Sequence, residues 1–144
     1  MYRWHGMCSP LVHDTGAFRS TRIHPELSHQ IRAAAIEVHR QLGPGLLESA
    51  YESCLAIELQ ARGIPFERQV PLPIPYRGQL VDNAYRMDLV VAGKIVLEIK
   101  SVAKVHPIHK AQLHTYVRLS RCRVGFLMNF NKLRLIDGVT RVVY

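Results

Sequence analysis

The sequence predicts an α/β fold, a single central mixed β-sheet flanked by helices. Two stretches whose apolar residues recur at three- and four-residue spacings come first. Tyr85 to Ser101, YRMDLVVAGKIVLEIKS, then sets two short apolar runs around Ala92-Gly93-Lys94, a Gly-containing break of the kind that closes a β-hairpin. The whole pattern runs helix, helix, three strands, helix, then strands, which one sheet with helices packed on it accommodates. The 144 residues suffice for one domain with a respectable core and are too few for two.

Residues 1–24 show no clear periodicity and contain Gly6, Ser9-Pro10 and Gly16, so they read as a loosely ordered N-terminal extension with no assigned function; the domain proper is residues 25–144. Pro25 suits the first turn of a helix. Leu27, Ile31, Ala34, Ala35, Val38 and Leu42 then form one apolar face, and Gly43-Pro44-Gly45 ends it. A second helix is expected from Leu46 to Arg62, with Leu47, Ala50, Tyr51, Cys54, Leu55 and Leu59 as its stripe and Gly63 as its C-terminal cap.

Val70, Leu72, Ile74 and Tyr76 alternate with Pro71, Pro73 and Pro75. Proline has no N–H to give to a ladder, so this strand must be an edge or be bulged. Pro107 opens a third helix to about Ser120, with Ile108, Ala111, Tyr116, Val117 and Leu119 among its apolar positions. Gln112 and Tyr116, four apart, share a face of it. Val124 to Phe130 reads as a buried strand, and Leu133–Ile136, Asp137-Gly138 and Val139–Tyr144 as a terminal hairpin.

In the central hairpin, alternation puts Arg86, Asp88 and Val90 on one face, and Lys94, Val96, Glu98 and Lys100 on one face of the second strand. A three-residue loop pairs Val91 with Ile95, sets Asp88 opposite Glu98, and gathers Met87, Leu89, Val91, Ile95, Leu97 and Ile99 on the buried side. Facing carboxylates repel, and burial raises the cost. A divalent cation between them, beside Lys100, would relieve it; a solvated hairpin face with scattered charges is the other reading. Glu48 likewise is either a charge at the positive end of a helix dipole or a metal ligand aimed at the hairpin.

Lys plus Arg number 19 against 11 Asp plus Glu, a net of +8, and only Arg3, Arg19 and Arg22 precede His24. The positive field therefore belongs to the body and suits a polyanion such as nucleic acid, although charge also serves solubility. Cys8, Cys54 and Cys122 form no C-x-x-C pair, which suggests neither a disulfide framework nor a zinc knuckle and fits a reducing cytoplasm. No run is long and apolar enough to span a membrane, and no signal-peptide pattern opens the chain. His106 and His109 straddle Pro107 without an H-E-x-x-H or Cys partner, which argues against zinc. His39 either approaches the acidic pocket or caps the end of its helix as a cation.

Gly45-Leu46-Leu47-Glu48-Ser49-Ala50-Tyr51 is a G-x-x-E-x-x-Y string, and Asp88 followed by Glu98-Ile99-Lys100 is a D…E-x-K pair. With Gln112…Tyr116 and Val124–Phe130, the chain resembles the GxxExxY proteins of the PD-(D/E)XK, restriction-endonuclease-like nuclease superfamily, over about Leu27 to Val143. The resemblance implies a metal-dependent nuclease on a restriction-endonuclease-like fold. It makes Asp88, Glu98, the carbonyl of Ile99 and the helical Glu48 ligands of magnesium, with manganese as the alternative. Lys100 matches the lysine that positions or deprotonates the attacking water, and Gln112 and Tyr116 match a motif that helps hold the substrate strand. Met87 stands where the superfamily name has proline, a position without a ligand. Arg86, Lys104 and Lys110 would neutralise flanking phosphates.

The expected activity is hydrolysis of phosphodiester bonds, in DNA ahead of RNA. The competing readings are a binding module without catalysis and a protein-interaction domain, for instance a homodimer along the proline-rich edge or a complex with a partner protein that supplies specificity.

Overall fold

The computed structural model describes residues 23–144; the extension expected before them lies outside the described residues. Helix α1 spans Pro25–Leu42 and α2 spans Glu48–Ala61. Strands β1 (Phe66–Tyr76), β2 (Gln79–Val91) and β3 (Ile95–Lys100) follow, then α3 (Pro107–Ser120), β4 (Val124–Asn129), a 3-10 turn (Leu135–Gly138) and β5 (Val139–Val143). The five strands lie in the order β1-β2-β3-β4-β5. All neighbours are antiparallel except β3 and β4, which are parallel and joined by α3, as a parallel pair requires a crossover.

Each face of the sheet buries its own apolar set. Ile31, Ala34 and Ala35 of α1 and Tyr51, Leu55 and Leu59 of α2 pack on Leu89, Ile95, Leu97 and Phe126. Leu113, Tyr116 and Val117 of α3 pack on Val90, Val96 and Leu127 from the other side. Each fully buried leucine among them removes enough apolar surface from water to contribute about 2 kcal/mol. Gly125 lets α3 approach: a Cβ there would meet Val117 Cγ2 at 2.7 Å and Leu113 Cδ1 at 2.8 Å.

The hairpin register is the expected one, Val91 pairing with Ile95 and Leu89 with Leu97. The proline strand is an edge, and its pairing with β2 shifts between Leu72 and Ile74. Several expectations need correction. Met87 joins the cluster under α3 and not Leu89's: β2 joins the β3 ladder only at Leu89, and Gln69, between the pairs Arg68–Leu89 and Val70–Met87, has a left-handed backbone with a φ of +50°. On the charged face of the hairpin Val90 and Val96 are covered by α3, while Arg86 and Lys94 stay exposed.

Leu133 to Ile136 is not a strand. Leu135 turns into the core within the 3-10 turn while Leu133 is 92% exposed, so β5 forms its hairpin with β4. Leu47 lies just outside α2 and, like Ile108 at the start of α3, is exposed, because each precedes the turns that reach the sheet. His39 neither reaches the acidic groups nor caps its helix. It is buried, its Nε2 donates to Lys132 O (2.7 Å), and its ring is tilted against Phe130. Cys122, which the sequence leaves unpaired, is a buried disulfide cysteine. Among the described residues no helix is long and apolar enough to cross a membrane.

Candidate active site

The first element is a turn that a tyrosine ties. Gly43 and Gly45 hold φ values of +66° and +101°, which suit glycine. Tyr51, stacked on Phe130 in the core, donates its hydroxyl proton to Gly43 O and accepts from Leu46 N–H (3.2 Å). That pins the chain entering α2 and fixes Glu48 as its first residue. Glu48 Oε1 accepts Ser101 N–H (3.3 Å), and Ser101 Oγ donates back to Leu46 O (2.6 Å), so the start of α2 is stitched to the exit of β3.

The second element is the place where β2 and β3 part. Asp88 N–H donates to Glu98 Oε1 (3.2 Å), and Ile99 N–H donates to Asp88 Oδ2 (2.8 Å). Side-chain oxygens thus take over backbone donors at the end of the ladder, keeping buried N–H groups satisfied. Beyond Lys100, Phe130 N–H donates to Lys100 O (2.9 Å). The buried Asn129 then holds Val102 through both its backbone groups, Val102 N–H to Oδ1 (3.1 Å) and Nδ2 to Val102 O (2.9 Å).

Electrostatics follow from that crowding. Burial, and then the Asp88 carboxylate, push the Glu98 carboxyl from 4.5 up to about 8, with Glu48 adding to the rise and Lys100 opposing it. Burial also raises Asp88, helped by Glu52 and opposed by the Ile99 N–H and Lys100. Tyr116 accepts from Gln112 Nε2 (2.6 Å) and lies edge-on to Tyr85. Burial and the Glu98 charge hold its phenol at about 12, so it keeps its proton at neutral pH.

The sequence-selected residues divide into two groups. Glu48, Asp88, Glu98 and Lys100 gather where the α2 start, β2 and β3 meet, and Gln112 and Tyr116 form a pair on α3. Arg86 is exposed and donates to Gln69 O (3.3 Å). Lys104 and Lys110 are exposed at the β3–α3 loop and the first half of α3, with no bond to the acidic groups. Sequence reasoning passed over Glu52 and Gln69 and weighed His109 only as a zinc ligand. Glu52 is four residues after Glu48 on the same helix face, a spacing that could have exposed it. His109 accepts His106 N–H at Nδ1, and burial and then Lys100 lower its pKa.

The oxygens of Glu48, Asp88 and Glu98 and the Ile99 carbonyl are hard donors of the kind magnesium takes. Their mutual repulsion at Glu98 is what a cation would relieve, and in donor type the set fits such an ion. As they stand, each carboxylate has one oxygen on a backbone N–H, and no three His, Cys, Asp or Glu side chains among the described residues converge into a ligand group. A family model described as the PD-(D/E)XK nuclease superfamily matches residues 25–142. No curated protein and no solved structure matches the chain.

Proposed function

The chain belongs to the PD-(D/E)XK nuclease superfamily, and from that premise we propose that it is a metal-dependent nuclease that hydrolyses phosphodiester bonds in nucleic acid, DNA ahead of RNA. Its mixed sheet flanked by three helices is a restriction-endonuclease-like α/β fold. We assign it further to the GxxExxY branch, on the string from Gly45 to Tyr51. The observation that carries the reading is the crossed pair of bonds from Asp88 N–H to Glu98 Oε1 and from Ile99 N–H to Asp88 Oδ2, with Lys100 two residues beyond Glu98 on the same strand face.

Glu48, Asp88, Glu98 and the carbonyl of Ile99 would hold Mg²⁺, or Mn²⁺ in its place. A bound divalent ion neutralises charge on the phosphate oxygens and acidifies water. Lys100 orients or deprotonates the attacking water and steadies charge on the phosphoryl group. Tyr116, protonated at neutral pH, donates to the substrate strand while Gln112 fixes its hydroxyl. Arg86, Lys104 and Lys110 take flanking phosphates as point charges. A cytoplasmic location fits the sequence, and specificity would come from a partner protein or from a second copy joined along β1.

The deciding experiment offers labelled single- and double-stranded DNA, with RNA beside them, to the full chain in magnesium. Cleavage is expected, stopping in chelator and in the Glu98→Ala protein. Cleavage that persists when Asp88→Ala and Lys100→Ala are combined would overturn the assignment.

A further inference from the structure

We propose that Gln69 is a positioning residue for Asp88, held in place by a clamp of Glu52 and Arg68; this rests on the metal-site reading above. Neighbouring residues of a regular strand point to opposite faces. Arg68 and Gln69 are neighbours in β1, yet both reach one carboxylate. Arg68 donates through Nε (3.3 Å) and Nη2 (2.8 Å) to Glu52 Oε2, and Gln69 donates through Nε2 to Glu52 Oε1 (2.6 Å). The left-handed backbone of Gln69, φ +50°, makes that convergence geometrically available. In a residue other than glycine that conformation is strained, and surrounding contacts must hold it there.

The same amide nitrogen faces Asp88 Oδ1 at 3.4 Å. Ionised carboxylates only accept, and an amide NH₂ carries two protons. Gln69 therefore stands between two anions as a shared donor, with one N–H for each. Asp88 Oδ2 is already fixed by Ile99 N–H, so Gln69 sets the direction of the remaining oxygen, the one free to face a cation. Glu52 is 7% exposed with both oxygens taken, so it acts as an anchor for Gln69 and not as a ligand. Arg86 completes the support by donating to the Gln69 carbonyl at 3.3 Å.

Calorimetric titration of the chelator-stripped full chain with Mn²⁺ tests this, with the thermal midpoint of each variant measured alongside. Gln69→Leu should weaken Mn²⁺ binding about 10-fold, the scale of losing a residue that orients a ligand. Glu52→Ala, which leaves Gln69 present but unanchored, should weaken it in the same direction and provides the result if the first variant does not fold. A lowered thermal midpoint with unchanged Mn²⁺ affinity in both variants would make the cluster a plain staple between α2 and β1 and overturn the proposal. Asp88→Asn separates the two readings. If it binds Mn²⁺ as the wild type does, the metal site itself fails and the role of Gln69 with it. If it loses binding while Gln69→Leu does not, the role of Gln69 alone fails.

Discussion

The two halves of β3 are held by different means. Ile95, Val96 and Leu97 are paired on both sides, antiparallel to β2 and parallel to β4, and all are at 0% exposure. Glu98, Ile99 and Lys100 keep only β4, and carboxylates stand in for the missing strand. One 6-residue strand thus passes from a closed apolar ladder to a polar opening. Stability and the proposed chemistry are divided along its length, and the proposed site begins where backbone pairing to β2 stops.

That division can be broken by substitution. Lys100→Ala should lower magnesium-dependent cleavage by about 100- to 1,000-fold, the loss for one positioned group acting on developing charge, and leave the thermal midpoint near that of the wild type; a variant that unfolds early would refute the split. Leu97→Ala, at the closed end, should do the reverse, costing about 3 kcal/mol in urea unfolding.

Glu98 sits on the border, and its pH dependence sharpens the contrast. Below 4.5 folded and unfolded chains both carry its proton, and between 4.5 and about 8 only the folded chain keeps it. Metal-free stability should therefore fall as pH rises through that window and level off above it. Glu98→Gln should remove this residue's part of the fall and be more stable than the metal-free wild type above that window. Magnesium added to the wild type should close the gap. Smallest in effect, Gly125→Ala should cost about 1 kcal/mol in the same urea assay by overpacking α3, since its Cβ would press on Val117 and Leu113.

Much of this was legible because certain residues permit few alternatives. Proline cannot donate to a ladder, so Pro71, Pro73 and Pro75 announce an edge strand. The apolar parity of Leu89, Val91, Ile95 and Leu97 admits one hairpin register. Asp88, Glu98 and Lys100 shared a face by strand spacing, whereas Glu48 was singled out by the resemblance to the GxxExxY proteins. Other features depended on where distant segments meet. Gln69 gains meaning only when a left-handed backbone turns it toward Glu52 and Asp88. His39 looked like a charged helix end until Lys132 O, 93 positions on, proved to be its partner. The last hairpin was misread because the burial of Leu135 was invisible to alternation.

Asn129 has a consequence for motion. Its amide imitates a strand backbone, so Val102 is held as firmly as if the parallel ladder ran on. The amide proton of Val102 should exchange with solvent deuterium slowly, like those of β3, and those of Ala103, Lys104 and Val105 quickly, as groups without such bonds do. The connection to α3 can then open locally from Ala103 onward while everything up to Val102 stays still, and Asn129→Ala would move that boundary back toward Lys100.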